Sequence, residues 1–335
     1  MSKNCDKKKC KYTSIGGQAL IEGILMKSPQ KSAMAVRLPD GNIDITYMNE
    51  KSLKDKYKIF ALPVIRGVVA FVESMINGYK AMMLSADKSG FADEVDEETG
   101  EVKKLSSKAW GLLMAVAGVL AVFLSVALFM YLPRLAVSGL ELLFGVESFP
   151  DVVNSLIEQS IKLVVFLVYI ICVSYMKDIR RVFEYHGAEH KTIFCYEAKL
   201  PLTVENARQQ KRFHPRCGTS FMILMILISV VFSTLAQIIF TGVYENAIVW
   251  TLIKLAMVPL ICGVGYEVLR LCGRYDNIIT RIISAPGVWV QRITTKEPDD
   301  SMLEIAIAAL GAVLSDEDKE KYLPKQDTEE NNDNI

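Results

Sequence analysis

The chain has 335 residues, a formal net charge of zero and 51% hydrophobic residues. Balanced charge gives no sign of a nucleic-acid partner, and apolar content this high suits a helical membrane protein with polar loops. Seven cysteines without regular spacing, two of them (Cys172 and Cys262) in apolar runs, argue against a disulfide framework and for reduced thiols facing the cytosol.

Residues 1–14 form a lysine-rich tail, expected to be mobile, without the apolar core of a signal peptide. Cys5 and Cys10 have no metal-binding companions nearby and read as exposed thiols. Residues 15–86 read as a small cytosolic or interfacial α+β part. Between Ile15 and Pro29, the glycines Gly16, Gly17 and Gly23 interrupt any simple helix. Glu22 is a charge in apolar company, either buried and paired or in an exposed turn. Pro39-Asp-Gly-Asn42 separates two strand-like runs and predicts a β-hairpin. Across residues 60–84, Arg66, Glu73 and Lys80 recur at seven-residue spacing, which puts them near one face of an amphipathic helix. That helix is expected at the membrane interface or packed on the bundle. Residues 87–108 are an acidic linker, expected to be disordered.

Residues 109–269 predict a bundle of four transmembrane helices, at about 110–132, 155–176, 219–244 and 247–269. Pro133 and Arg134 are read as closing the first. Lys162 and Lys254 lie inside the second and fourth, each roughly 10–12 Å deep at a rise of about 1.5 Å per residue. Charges at that depth either snorkel to the surface or attract an anion. The loop 177–218 carries nine Lys or Arg, so the positive-inside rule places it, with both termini, on the cytosolic side of the cell membrane. Residues 270–314 read as cytosolic or interfacial helices, with a Trp segment over 285–291 and a helix over 301–314 started by Pro298-Asp-Asp-Ser. Residues 315–335 are acidic and expected to be disordered. The fold class is therefore mainly α, a polytopic helical membrane protein with a small N-terminal α+β part.

All three histidines of the chain, His186, His190 and His214, fall in the 177–218 loop. His186-Gly-Ala-Glu189-His190 is an H-x-x-E-H pattern, which on a helix sets both imidazoles on one face with a carboxylate beside the second. His214-Pro-Arg-Cys217 adds a third imidazole and a thiol. These four side chains are candidate ligands of a divalent metal, with zinc favoured by the mixed nitrogen and sulfur donors, and Glu189 is the candidate general base. A closed set of four ligands makes a structural site; three ligands and an open position make a catalytic one. Glu22, Cys195 and Glu197 are further candidates. The competing reading has the histidines capping helices or meeting lipid phosphate, with Arg212 and Arg216 as anion or lipid contacts. Phosphate-binding glycine loops, a G-x-S-x-G motif and interleaved basic and aromatic residues are absent, so nucleic acid is not an expected partner.

Four segments carry a resemblance: GGQALIEGILMKSP (16–29), YHGAEHKTIFCYE (185–197), HPRCGTSF (214–221) and APGVWVQRITTKEPDD (285–300). In this order they resemble the YqhQ-like family of multi-pass membrane proteins of bacteria and plastids. The resemblance implies a membrane protein with a cytosolic core and a predicted metal-dependent enzyme, without naming a substrate. The leading expectation is a zinc hydrolase acting on a membrane-associated substrate. The alternative is a transporter or assembly factor for a small organic anion, in which the His/Cys cluster is structural and Lys162 and Lys254 line the path.

Overall fold

A computed structural model describes residues 13–48, 53, 57–91, 94–95, 102–103, 107–215, 217–240, 247–275 and 277–324. The basic tail up to Tyr12, Arg216 and the acidic end from Lys325 lie outside the described residues. Four antiparallel strands, β1 (Gly16–Leu20), β2 (Gly23–Lys27), β3 (Ser32–Arg37) and β4 (Ile43–Tyr47), form a meander in chain order. The Gly-rich N-terminal stretch is thus a hairpin whose turn is Ile21–Glu22, with Leu20 opposite Gly23. The predicted Pro39–Asn42 hairpin is present, with Arg37 opposite Ile43. Asn42 N–H donates to Asp40 Oδ1 at 3.0 Å, and Gly41 takes the left-handed φ of 88° that the turn requires.

Strands β2 and β3 are apolar without alternation because both faces of the sheet are covered. Ile24, Met26, Ala33 and Ala35 join one core, and Leu25, Met34 and Val36 join another on the opposite face. The second face is covered by helix α1 (Ile65–Lys88), through Ala81, Met82 and Leu84. The first is covered by the C-terminal half of the chain, described below. Helix α1 also runs against a long apolar helix near the C-terminal end of the bundle. There Arg66 pairs with Glu267 (Nη2 to Oε2 2.5 Å), and Gly67 lets Tyr266 and Gly263 approach.

Helix α2 (Ser107–Val126) passes through a π-helical turn (Ala127–Tyr131) into α3 (Leu132–Phe144). Pro133 therefore does not end the first apolar helix as the sequence reading has it. It stands in the first turn of α3, where its missing N–H is tolerated, and the preceding π turn makes room for its ring. Then follow α4 (Asp151–Ser174), α5 (Lys177–Glu197), the short α6 (Val204–Arg208), α7 (Gly218–Ile239), α8 (Ala247–Arg274), α9 (Ile278–Thr294), α10 (Asp300–Val313) and α11 (Asp316–Tyr322). Four stretches are long and apolar enough to cross a membrane: Ala115–Phe144, Val152–Ser174, Gly218–Ile239 and Ile248–Arg274.

Three expectations are corrected. The segment 177–218 is mostly helix, α5 and α6, rather than a loop. The segment from Ser315 begins with α11, capped by Ser315 Oγ accepting from Asp318 N–H at 3.2 Å. It is anchored because Tyr322 is buried against Tyr196 and its carbonyl accepts from Leu202 N–H at 2.7 Å. Within the acidic linker, a two-stranded ladder pairs Glu94 with Lys103 and Val95 with Val102.

The core that holds the candidate site draws on three distant parts of the chain. Ile24 and Met26 from the sheet, Tyr185, Ala188, Ile193 and Cys195 from α5, and Met302, Leu303, Ile305, Ala306, Ala309 and Leu310 from α10 pack together. Asp299 caps α10 by accepting from Met302 N–H at 2.9 Å, so the Pro298-Asp-Asp-Ser signal marks the helix start.

Candidate metal centre

Helix α5 carries the H-x-x-E-H stretch. It is a separate helix from α4, because Met176 is extended (φ −68°, ψ 130°) between them. Its fit is tightest at Gly187, where a methyl group would overlap the Lys296 carbonyl. Lys296 N–H donates to Phe183 O at 2.8 Å, so the strand-like residues 295–299 lie directly along α5. The glycine is what lets that second backbone approach.

Three of the four sequence-predicted ligands converge. His186, His190 and Cys217 place their ligand atoms within 4.8 Å of one another, and His186 Nε2 lies 2.9 Å from Cys217 Sγ. Helix spacing brings the two histidines together, with ring centroids 4.4 Å apart. Cys217 reaches them from the N-cap of α7. Each histidine turns its other nitrogen to a backbone carbonyl: His186 Nδ1 to Thr294 O at 2.8 Å and His190 Nδ1 to Arg212 O at 2.5 Å. Donation from Nδ1 fixes the tautomer and leaves Nε2 as the lone-pair donor, as in most imidazole–metal sites. Bonds of about 2.0–2.3 Å to zinc put tetrahedral ligands roughly 3.3–3.7 Å apart. The trio fits a metal if the His186–Cys217 contact opens by under about 1 Å.

Electrostatics favour the ligand form of the thiol. Burial opposes a thiolate, but His186 and then His190 hold Cys217 well below the ordinary thiol value. Burial also opposes a charge on His186, yet Cys217, and more weakly Glu189, hold that imidazole up at about 9, so a metal entering the trio would displace a proton from its Nε2. Glu189 is 5% exposed, and burial pushes its carboxyl above the usual value against the pull of His190 and His186. Its stabilising contact on the far side is the Gly17 N–H of β1. A side chain on Gly17 would put Cβ 2.9 Å from the Glu189 carboxyl carbon. A cavity of about 170 Å³ opens there, lined by Gly16, Gly17, Glu189, His190, His214 and Cys217 among others.

His214 stands outside the trio. Its ring lies 5.7 Å from that of His190, and its Nε2 is 3.4 Å from Glu197 Oε2. Glu197 also accepts from Thr13 N–H at 2.7 Å, tying the residues ahead of β1 to the end of α5. The structure therefore separates the closed four-residue set into three convergent ligands and a neighbouring His–Glu pair. Gln291 holds the His214 backbone: its Oε1 accepts from His214 N–H, and its Nε2 donates to His214 O, both at 2.7 Å, and to Ser220 Oγ at 2.9 Å. Nothing in the sequence singles out Gln291 and Thr294, because 285–291 reads as an interfacial Trp segment. That stretch is part of α9, and Gly287 lets it close against Ser220 of α7.

The remaining candidates lie elsewhere. Cys195 faces the core, its Sγ directed at Pro201 O (3.4 Å), and burial pushes its thiol up to about 11. Glu22, in its turn with φ 50°, is half-buried and paired: it accepts from Arg181 Nη2 at 2.6 Å and from Tyr185 Oη at 3.1 Å. Arg212 pairs with Glu297 at 2.9 Å, and Glu297 also pairs with the buried Lys191. Lys162 and Lys254 neither snorkel nor stand alone. Both face Glu158, a carboxylate overlooked inside the second apolar helix. The i, i+4 spacing of Glu158 and Lys162 was the signal for it.

Taken together these features define a mainly helical chain with four helices able to span a membrane, a small strand sheet, and a His–His–Cys group placed to hold a metal ion. Residues 62–316 match the family described as "Protein of unknown function (DUF1385)", and the chain belongs to that family. It is 33% identical over 302 residues to "Uncharacterized protein YqhQ" of Bacillus subtilis (strain 168), covering 89% of this chain and 92% of that protein. No solved structure matches the chain.

Proposed function

We propose that this protein is an integral membrane, metal-dependent hydrolase whose centre is His186, His190 and Cys217, with Glu189 as the proton-transferring residue. The observation that carries the reading is one buried carboxylate set beside three convergent ligands and bordering a cavity. Three protein ligands with an open side match the catalytic rather than the closed structural pattern. A divalent ion bound there, zinc by its donor set, supplies Lewis acidity toward a water or a substrate oxygen.

The chain's own groups do the rest. Burial raises the affinity of Glu189 for a proton, so it accepts one from the attacking water and returns it to the leaving group. Thr294 O and Arg212 O keep the imidazoles from rotating. The β1 backbone at Gly16 and Gly17 roofs the cavity and leaves space only for the scissile group, since about 170 Å³ is below the size of a typical small-molecule pocket. The rest of the substrate then lies along the protein or membrane surface. Apolar exposure supports the membrane reading: the window of the first long helix is 0% buried. The nine Lys or Arg of residues 177–218 support a cytosolic side for the centre by the positive-inside rule.

The test uses zinc-loaded protein in detergent against panels of ester, phosphoester and peptide model substrates. The reading expects turnover of one class by wild type and a loss of roughly 10²–10⁴-fold in Glu189→Gln with metal retained. Equal turnover by Glu189→Gln, or none by the loaded wild type across all three classes, contradicts it.

A further inference from the structure

The end of the bundle away from the metal centre holds a second charged cluster. Glu158 is seven residues from the start of α4, and Lys254 seven from the start of α8, so both lie about 10 Å inside their helices. Glu158 Oε1 accepts from Lys254 Nζ and lies 3.8 Å from Lys162 Nζ. Lys162 Nζ also donates to Gln159 Oε1 at 3.3 Å, while Lys254 Nζ sits 5.3 Å from the Trp250 ring. All three charged side chains are less than 20% exposed, at 19%, 11% and 15% for Lys162, Glu158 and Lys254.

Two observations show that this cluster is incomplete. Two ammonium groups share one carboxylate, so among the described residues it carries one surplus positive charge. Gln159, 2% exposed, buries its Nε2 without a hydrogen-bond partner among the described residues. An uncompensated charge and an orphan donor are each costly in an apolar setting, and here they are adjacent. Both are answered by the same thing, an oxygen-bearing monoanion that accepts from Lys162 and from the Gln159 amide. The surroundings are polar enough to receive one: Ser155 bonds Thr234 at 3.1 Å, and Ser233 and Gln237 of α7 are buried alongside.

We propose that Lys162 and Gln159, backed by the Glu158–Lys254 pair, form a binding site for a phosphate- or carboxylate-type monoanion at the end of the bundle opposite the metal centre. Lys162 supplies the charge, the Gln159 amide a second donor, and Glu158 holds Lys254 so that the site takes one negative charge and not two. The anion comes either from a lipid headgroup or from a free solute. The proposal rests on the membrane reading of α4, α7 and α8 only for the lipid source.

The experiment is native mass spectrometry of the full chain titrated with phosphatidylglycerol, with phosphatidylcholine as control, beside calorimetry with inorganic phosphate. Wild type is expected to bind at least one of the two anions, and Lys162→Met to weaken that binding roughly tenfold or more. Lys162→Arg restores it, which a packing role for the side chain would not do. Binding of phosphatidylglycerol alone assigns a headgroup site, whereas binding of phosphate as well assigns a solute site. If Lys162→Met does not fold, Gln159→Leu keeps every charge and is expected to weaken binding severalfold. Binding of neither anion, or equal binding by wild type and the folded variant, overturns the proposal. Release of the chain from membranes by carbonate would overturn the membrane reading separately and leave the phosphate titration valid.

Discussion

The two ends of the molecule bury charge in different ways. At the metal centre, side chains from α5 and α7 converge while backbone from β1, the segment before α7 and the end of α9 satisfies their outer atoms. At the Glu158 end, α4 and α8 meet through charged side chains, α7 joins through the Ser155–Thr234 contact, and among the described residues the Gln159 amide nitrogen is left unmatched. Backbone support fixes orientation, which metal ligation and proton transfer require. Side-chain-only support leaves a site adjustable, which suits a bound anion better than chemistry. The lesson is that histidine placement alone says less about the site than which carbonyls the histidines face.

The comparison breaks most sharply if the ligand trio is dispensable. His186→Ala/His190→Ala is expected to drop metal content from about one ion per chain to near zero, read by elemental mass spectrometry, while Lys162→Met leaves metal unchanged. The next effect in size concerns the backbone strap along α5. Gly187→Ala forces the Lys296 carbonyl away and is expected to cost about 1–3 kcal/mol, seen as a lower midpoint in thermal unfolding, with metal bound more weakly although no ligand is altered. Gln291→Leu strands the His214 backbone and is expected to cost a similar 1–3 kcal/mol at most, with metal content falling less than in the histidine variant. The smallest effect separates three ligands from four: His214→Ala is expected to keep its metal, because His214 faces Glu197 rather than the trio.

Much of this was legible in the sequence where local rules suffice. Pro39–Asn42 specified its hairpin, Asp299 its helix start, and four apolar stretches their helices. The histidine spacing put His186 and His190 on one face, and the thiol of Cys217 joins them. What was not legible depends on long-range packing. Pro133 looked like a terminator because a π turn ahead of it leaves no residue signature. Glu22 meets Arg181, and Gly17 meets Glu189, only after the first hairpin docks on α5. Gln291 and Thr294 act on the site through α9, whose apolar Trp segment masked them. His214 groups with the ligands by its nearness to Cys217 in sequence, but the two side chains meet different partners, Glu197 and His186.

The central claim is that three side chains and no fourth hold one metal ion beside Glu189. It is tested most directly by elemental analysis of chain purified without chelator, comparing wild type, His214→Ala, Glu189→Gln and His186→Ala/His190→Ala. The account predicts about one divalent ion per chain in the first three and none in the last. Metal-free wild type, or an ion kept by His186→Ala/His190→Ala and lost from His214→Ala, would contradict it.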